Sequence, residues 1–186
     1  MNKAEKQQNK QLACLALQCG TAVVCALTKT ILCGRDNPVS FTGTVVRETA
    51  RYLMRGKAGE NGALIRLSAD IVKRERPWKV PVGYTLENYA LSASSLELLK
   101  TNSKYAHRLV YQLHGGGYLV GLSNIYRKNA VRYSRCASGA TVASLDYRTA
   151  PAAVYPAALE DALEGWKFLQ SLGYTPENII VAGDSA

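Results

Sequence analysis

Two short motifs in this chain combine residue types that acyl-transfer chemistry needs. The first is Gly183-Asp184-Ser185-Ala186, which follows an apolar run at residues 178–182. A serine attacks an acyl carbon only when its oxygen is exposed and a base can take its proton. A tight strand-to-helix turn of the form G-x-S-x-G exposes such a serine and demands small residues two positions to either side. Gly183 meets the first demand, and position 187 would meet the second. Taken alone, a strand ending in Gly-Asp-Ser also describes an ordinary turn. The second motif is His114-Gly115-Gly116-Gly117-Tyr118, directly after the apolar run 109–113. Acyl transfer builds negative charge on the carbonyl oxygen, and backbone N–H groups aimed at that oxygen stabilise it. Glycine lets the main chain approach closely and adopt positive φ. A hinge or a phosphate-cradling loop would use glycines too. The phosphate loop requires a G-K-[ST] ending and the dinucleotide loop requires G-x-G-x-x-G, and neither is present here. A histidine in front and a buried strand behind favour an oxyanion loop.

Such motifs work only if strands and helices hold them together. Residues 84–91 and 95–99 read as two short strands joined by a turn, and 109–113 as an apolar strand running into the glycines. Residues 124–136 read as a helix, 141–145 as a buried strand, 156–172 as a helix and 178–182 as another apolar strand. Pro156 starts the second of these helices and Gly173 stops it. Strands alternating with helices imply a mainly parallel sheet covered on both faces. Active sites of such sheets lie at the carboxyl ends of the strands, where both glycine motifs fall. The chain before Pro77 differs. It reads as helices at 12–32 and 40–55, a glycine-rich break at 56–62 and a third segment at 63–76, with no motif or internal repeat. The expected organisation is therefore a helical region, 1–76, and an α/β region, 77–186.

Composition excludes several classes. An apolar content of 47% and a charged content of 20% are those of a globular protein. The net charge of +9 permits contact with anionic surfaces. The basic residues are scattered along the chain, however, and the run Lys73-Arg74-Glu75-Arg76 contains an acid, so no nucleic-acid footprint is read. Cys14, Cys19, Cys25 and Cys33 form no C-x-x-C pair, and His107 and His114 are the only histidines. Neither a metal site nor a disulfide framework follows, and no cofactor is expected. Buried thiols point to a reducing, cytoplasmic setting. Against this, Lys3, Lys6 and Lys10 precede an uncharged stretch, residues 12–28, with the layout of a signal peptide or short anchor. Gln18, Gly20 and Thr21 dilute it, and a buried helix accounts for it as well. Export or membrane contact through residues 12–28 remains the alternative. Nothing in the sequence bears on oligomeric state.

With the motifs taken in order, the chain resembles the hormone-sensitive-lipase-like esterases, the α/β-hydrolase fold-3 group. The matching residues are 114–118, Leu145-Asp146-Tyr147-Arg148, Ala150-Pro151, Tyr155-Pro156-Ala157-Ala158-Leu159-Glu160-Asp161 and Gly183-Asp184-Ser185-Ala186. They lie within residues 78–186. The resemblance implies an α/β-hydrolase fold with an N-terminal helical cap, Ser185 as nucleophile, and an oxyanion hole formed by the N–H groups of Gly116, Gly117 and Ala186. It makes His114 structural, with Gly115, Gly183 and Asp184 in support. The substrate would be a small-molecule carboxylic ester, cleaved without metal or cofactor. Asp146, Arg148, Glu160 and Asp161 are expected to tie sheet and helix together by ion pairs.

In such enzymes the triad runs serine, acid, histidine along the chain. Both partners of Ser185 should therefore follow it, and one residue does. The sequence is accordingly read as the front part of an esterase, inactive and poorly folded as a separate 186-residue polypeptide. Two alternatives stand beside this reading: a non-catalytic half-fold that serves as a binding module, and a membrane-tethered protein.

Overall fold

The computed structural model describes residues 40–55 and 74–185, together with isolated positions between 13 and 31 and residues 70 and 72. The chain divides into two compact units, Met1–Leu67 and Ser68–Ala186. The described positions between 13 and 31 are helical, in keeping with the expected helix 12–32, while most of segment 63–76 lies outside the described residues.

In the first unit, helix α1 spans Phe41–Arg55. It matches the helix expected at 40–55 to within one residue. Ser40 Oγ accepts the N–H of Gly43 at 3.1 Å, and its carbonyl accepts that of Thr44.

The second unit is a five-stranded sheet of β1 (Thr85–Ala90), β2 (Ser95–Lys100), β3 (Leu109–Leu113), β4 (Thr141–Asp146) and β5 (Ile179–Gly183). Helix α2 (Asn124–Cys136) follows β3, and helix α3 (Ala157–Ser171) follows β4. Across the sheet the order is β1-β2-β4-β3-β5. The pairs β1/β2 and β2/β4 are antiparallel, while β3 is parallel to both β4 and β5. The sheet is therefore mixed, with its parallel part at the end that carries the glycine motifs. The strands of the sequence reading are found to within two residues at either end.

Period-two alternation sends each strand's side chains to two different cores. Leu96, Leu98, Tyr111, Ala143 and Leu145 pack on one face with Leu169 of α3. Leu99, Val110 and Val142 pack on the other with Ala130 and Val131 of α2. Helix α3 lays an i, i+4 stripe of Ala157, Asp161, Gly165 and Leu169 on the sheet. The small residues in that stripe allow close approach: a Cβ on Gly165 would lie 2.3 Å from the Tyr111 hydroxyl. The helix stops at Gly173, whose φ is +93°, and the N–H of Tyr174 returns to the Leu169 carbonyl.

This order creates a topological switch. The connection from β3 through α2 moves to one side, to β4. The connection from β4 through α3 returns across β3 to β5. The crossover helices α2 and α3 thus lie on opposite faces of the sheet, and the crevice at the carboxyl ends of β3 and β5 is where open α/β sheets bind ligands. The strand β5 pairs only with β3 among the described residues, leaving Ile180 and Val181 67% and 56% exposed.

Candidate active site

The loop after β3 and the turn after β5 meet in that crevice. The N–H groups of Gly116 and Gly117 both donate to the carbonyl oxygen of Ser185, each at 3.1 Å. Two main-chain donors on adjacent residues converging on one oxygen is the arrangement that holds an oxyanion; here the oxygen held is Ser185's own carbonyl. The loop reaches this shape because Gly116 has φ +127° and Gly117 φ +60°. The first value belongs to glycine almost alone. Tyr118 follows at φ +59°. Ser185 itself sits at φ +53°, the strained left-handed backbone expected of a nucleophile on a sharp turn. Ala186 lies outside the described residues.

Gly115 and Gly183 are small because of what faces them. A Cβ on Gly115 would meet the Asp184 carbonyl oxygen at 2.4 Å, the Tyr126 hydroxyl at 2.6 Å and Ser185 Cβ at 2.9 Å. A Cβ on Gly183 would sit 3.1 Å from the Leu113 carbonyl oxygen. Gly115 is thus the point where loop and turn are pressed together.

His114 is 1% exposed and stacks on Tyr147, with ring centroids 4.0 Å apart and planes 6° from parallel. Its Nδ1–H donates to the Gly115 carbonyl at 3.0 Å. The Tyr147 hydroxyl donates in turn to the His114 carbonyl. Nε2 has no hydrogen-bond partner and faces Asp146 Oδ1 at 3.7 Å. Burial holds the imidazole pKa below its ordinary value, outweighing the Gly115 carbonyl and the Asp146 and Asp184 carboxylates, which favour the charged form. A neutral, stacked ring bonded to the loop backbone is a prop for the glycines. His107 is exposed, and its Nδ1 bonds the Lys104 carbonyl.

Asp184 accepts the Tyr126 hydroxyl at 3.2 Å, tying the turn to the first helical turn of α2. The expected ion pairs are refined by the geometry. Arg148 pairs chiefly with Asp161, which is 1% exposed and accepts the Arg148 backbone N–H, Nε and Nη2 at 2.8, 3.0 and 2.7 Å. Glu160 lies only at 3.5 Å. Asp146 makes no pair with an arginine among the described residues. Its Oδ1 accepts the Leu122 N–H at 2.9 Å and so fixes the far end of the glycine loop. Tyr147 lies inside the Leu145-Asp146-Tyr147-Arg148 motif, while nothing in the spacing of α2 marks Tyr126 as a site residue.

Beside Ser185 a cavity of about 780 Å³ opens to solvent. Leu113, Tyr118, Tyr147, Val154, Tyr155 and Leu159 contribute to its mostly apolar wall, with His114 and Ser185 at one side.

Residues 110–186 match the family model described as alpha/beta hydrolase fold. Over these residues the chain is similar to the α/β-hydrolase fold-3 family. Esterase LipU of Mycobacterium tuberculosis is 39% identical over 79 residues, 42% of this chain and 26% of that protein. The hormone-sensitive lipase of Bos taurus is 34% identical over 95 residues, 49% of this chain and 12% of the lipase. Among solved structures, EstE5 soaked with p-nitrophenyl butyrate superposes with a TM-score of 0.56 at 28% identity, covering 64% of this chain and 40% of that one. The chain thus spans about a quarter of the length of LipU, and its likeness to the α/β-hydrolase fold-3 family rests on the half of its own length that carries the sheet.

Proposed function

We propose that the enzyme containing this chain hydrolyses carboxylic esters through an acyl-enzyme formed on Ser185. The observation that carries the reading is the convergence of the Gly116 and Gly117 N–H groups on one oxygen beside a serine held at positive φ. In the reaction a base removes the Oγ proton as Oγ bonds to the ester carbon. The carbonyl oxygen takes the charge and is held by the Gly116 and Gly117 N–H groups once the Ser185 carbonyl that they bind here has turned away, and the same turn aims the Ala186 N–H inward as a third donor. Collapse expels the alcohol, which takes the proton from the base, and water then cleaves the acyl-enzyme by the same route. The apolar cavity beside Ser185 suits the hydrocarbon part of an ester.

His114 does not serve as the base, because its Nδ1–H is committed to the Gly115 carbonyl and its ring is buried under Tyr147. His107 lies in the segment before β3, at the opposite end of that strand from the glycines. The acid and the base come from other residues of the enzyme, in the order serine, acid, histidine. A polypeptide of these 186 residues alone accordingly hydrolyses esters slowly or not at all.

The test is a fluorophosphonate probe, which bonds only to activated serines, with hydrolysis of a p-nitrophenyl ester as the second readout. The complete enzyme should label and turn over, and Ser185→Ala should abolish both. Labelling that survives Ser185→Ala would overturn the assignment.

A further inference from the structure

Between Glu97 and Asp146 the chain contains no acidic residue, yet it carries Lys100, Lys104, Arg108, Arg127, Lys128, Arg132 and Arg135. Two of these cations are neutralised from outside the stretch. Lys100 pairs with Glu87 at 2.8 Å, and Arg127 with Glu97 at 2.6 Å. The other five are exposed and make no ion pair among the described residues. Lys128, Arg132 and Arg135 recur at helical spacing on α2, on the face opposite the buried Ala130, Val131 and Ser134. They span about 10 Å of helix, near one Debye length at physiological salt, so they act as a unit. Lys104 and Arg108 extend the patch beyond the C-terminus of α2. Their segment is fastened there by Ser103 Oγ to the Ser138 carbonyl and Thr101 Oγ1 to the Gly139 carbonyl, both at 2.7 Å.

We propose that this face docks on an anionic phospholipid surface. Charge complementarity selects an anionic partner, and the apolar groups at the patch select lipid among anions. Ile125, one turn before Lys128 on the same face, is 64% exposed. At the other end Tyr105 carries Lys104 and Arg108 over its ring, with 5.1 and 4.8 Å from the cations to the centroid. A tyrosine flanked by cations suits the headgroup region of a bilayer. The same ring is already covered by its own cations, which removes the free stacking platform that single-stranded nucleic acid uses. The patch lies on the α2 face of the sheet, whereas the cavity beside Ser185 is walled by Leu159 of α3, which packs on the other face. Docking therefore leaves the cavity mouth uncovered: the surface tethers the protein and does not feed substrate into it. The membrane contact considered for residues 12–28 is a separate one, and this proposal does not depend on the ester-hydrolase reading.

The experiment is vesicle co-sedimentation of the complete protein that contains this chain. Vesicles of phosphatidylcholine with about 30% phosphatidylglycerol should bind it, pure phosphatidylcholine should not, and about 1 M salt should release it. Each Lys or Arg near such a surface contributes roughly fivefold, so combining Lys128→Gln, Arg132→Gln and Arg135→Gln should weaken partitioning on the order of 100-fold. Lys104→Gln with Arg108→Gln, on a different element, should weaken it about 20-fold. Circular dichroism of each variant checks that the fold is kept. Replacing Lys3, Lys6 and Lys10 by Gln should leave binding unchanged. The proposal is overturned by absence of binding at low salt, by loss of binding only in the N-terminal variant, or by tighter binding to a nucleic-acid duplex than to anionic vesicles.

Discussion

Gly115→Ala probes the contact between glycine loop and serine turn more sharply than removal of the serine does. The added Cβ would lie 2.4 Å from the Asp184 carbonyl oxygen, where ordinary contact begins at 3.4 Å. Tyr126 can turn its hydroxyl away, but Asp184 O is main chain and Ser185 Cβ is fixed to it. Relief therefore requires loop and turn to separate by about 1 Å, and the Gly116 and Gly117 donors move with the loop. A misplacement of that size costs on the order of 100-fold in kcat. The apolar cavity wall is untouched, so KM should change little. Overpacking should also lower stability by about 1–3 kcal/mol. Gly117→Ala is the control. Nothing lies within 4 Å of its Cβ, but its φ of +60° disfavours a side chain. It should cost about 1 kcal/mol of strain and much less activity than Gly115→Ala. The assay is steady-state hydrolysis of a p-nitrophenyl ester by the complete enzyme, with urea unfolding alongside. If Gly115→Ala retains kcat within about threefold of the parent, the site does not depend on the packing described.

Further outcomes follow from the packing around the site. Tyr111→Phe should rescue Gly165→Ala, because the new Cβ collides with the Tyr111 hydroxyl at 2.3 Å and only reaches Leu145 Cδ1 at 3.3 Å. Gly165→Ala should lose about 2 kcal/mol and Tyr111→Phe about 1 kcal/mol, while the double variant should lose only about 1 kcal/mol in urea unfolding followed by Trp166 fluorescence. Asp161→Ala, which removes a buried acceptor of three Arg148 donors, should destabilise by about 2 kcal/mol, whereas Glu160→Ala should have no measurable effect. Burial depresses the His114 pKa, so below the ordinary histidine value of about 6.5 the unfolded chain binds a proton that the folded one resists. Stability should fall as pH drops through about 6.5, and His114→Gln should flatten that slope in unfolding midpoints measured from about pH 8 to 5.

Much of this molecule is legible in one dimension because its elements carry local signals. Apolar runs in the strands, Pro156 and Gly173 as brackets, and an apolar run before each glycine motif fix where elements begin and end. The motifs also fix which atoms can act: a serine after Gly-x and consecutive glycine amides are chemistry that residue type alone provides. The antiparallel pairing of β2 with β4 and the position of β5 beside β3 are not legible. Strand order depends on contacts between segments far apart in sequence, which no local pattern encodes. The same holds for the site's supports. Asp146 carries a charge that reads as an ion-pair partner, yet the fold uses its oxygen to accept the Leu122 N–H. Tyr126 has no sequence mark, because its role exists only where α2 starts beside the turn after β5. Five of the cations between Glu97 and Asp146 look like ordinary solvated charges until α2 and the segment after β2 are brought to one end of the sheet. The sequence by itself determined which groups could stabilise an acyl oxyanion and which strands would carry them. Only the tertiary structure decided that Gly116 and Gly117 aim at a single oxygen, because convergence is a property of two loops held at a distance, and that distance is set by Gly115 against Asp184.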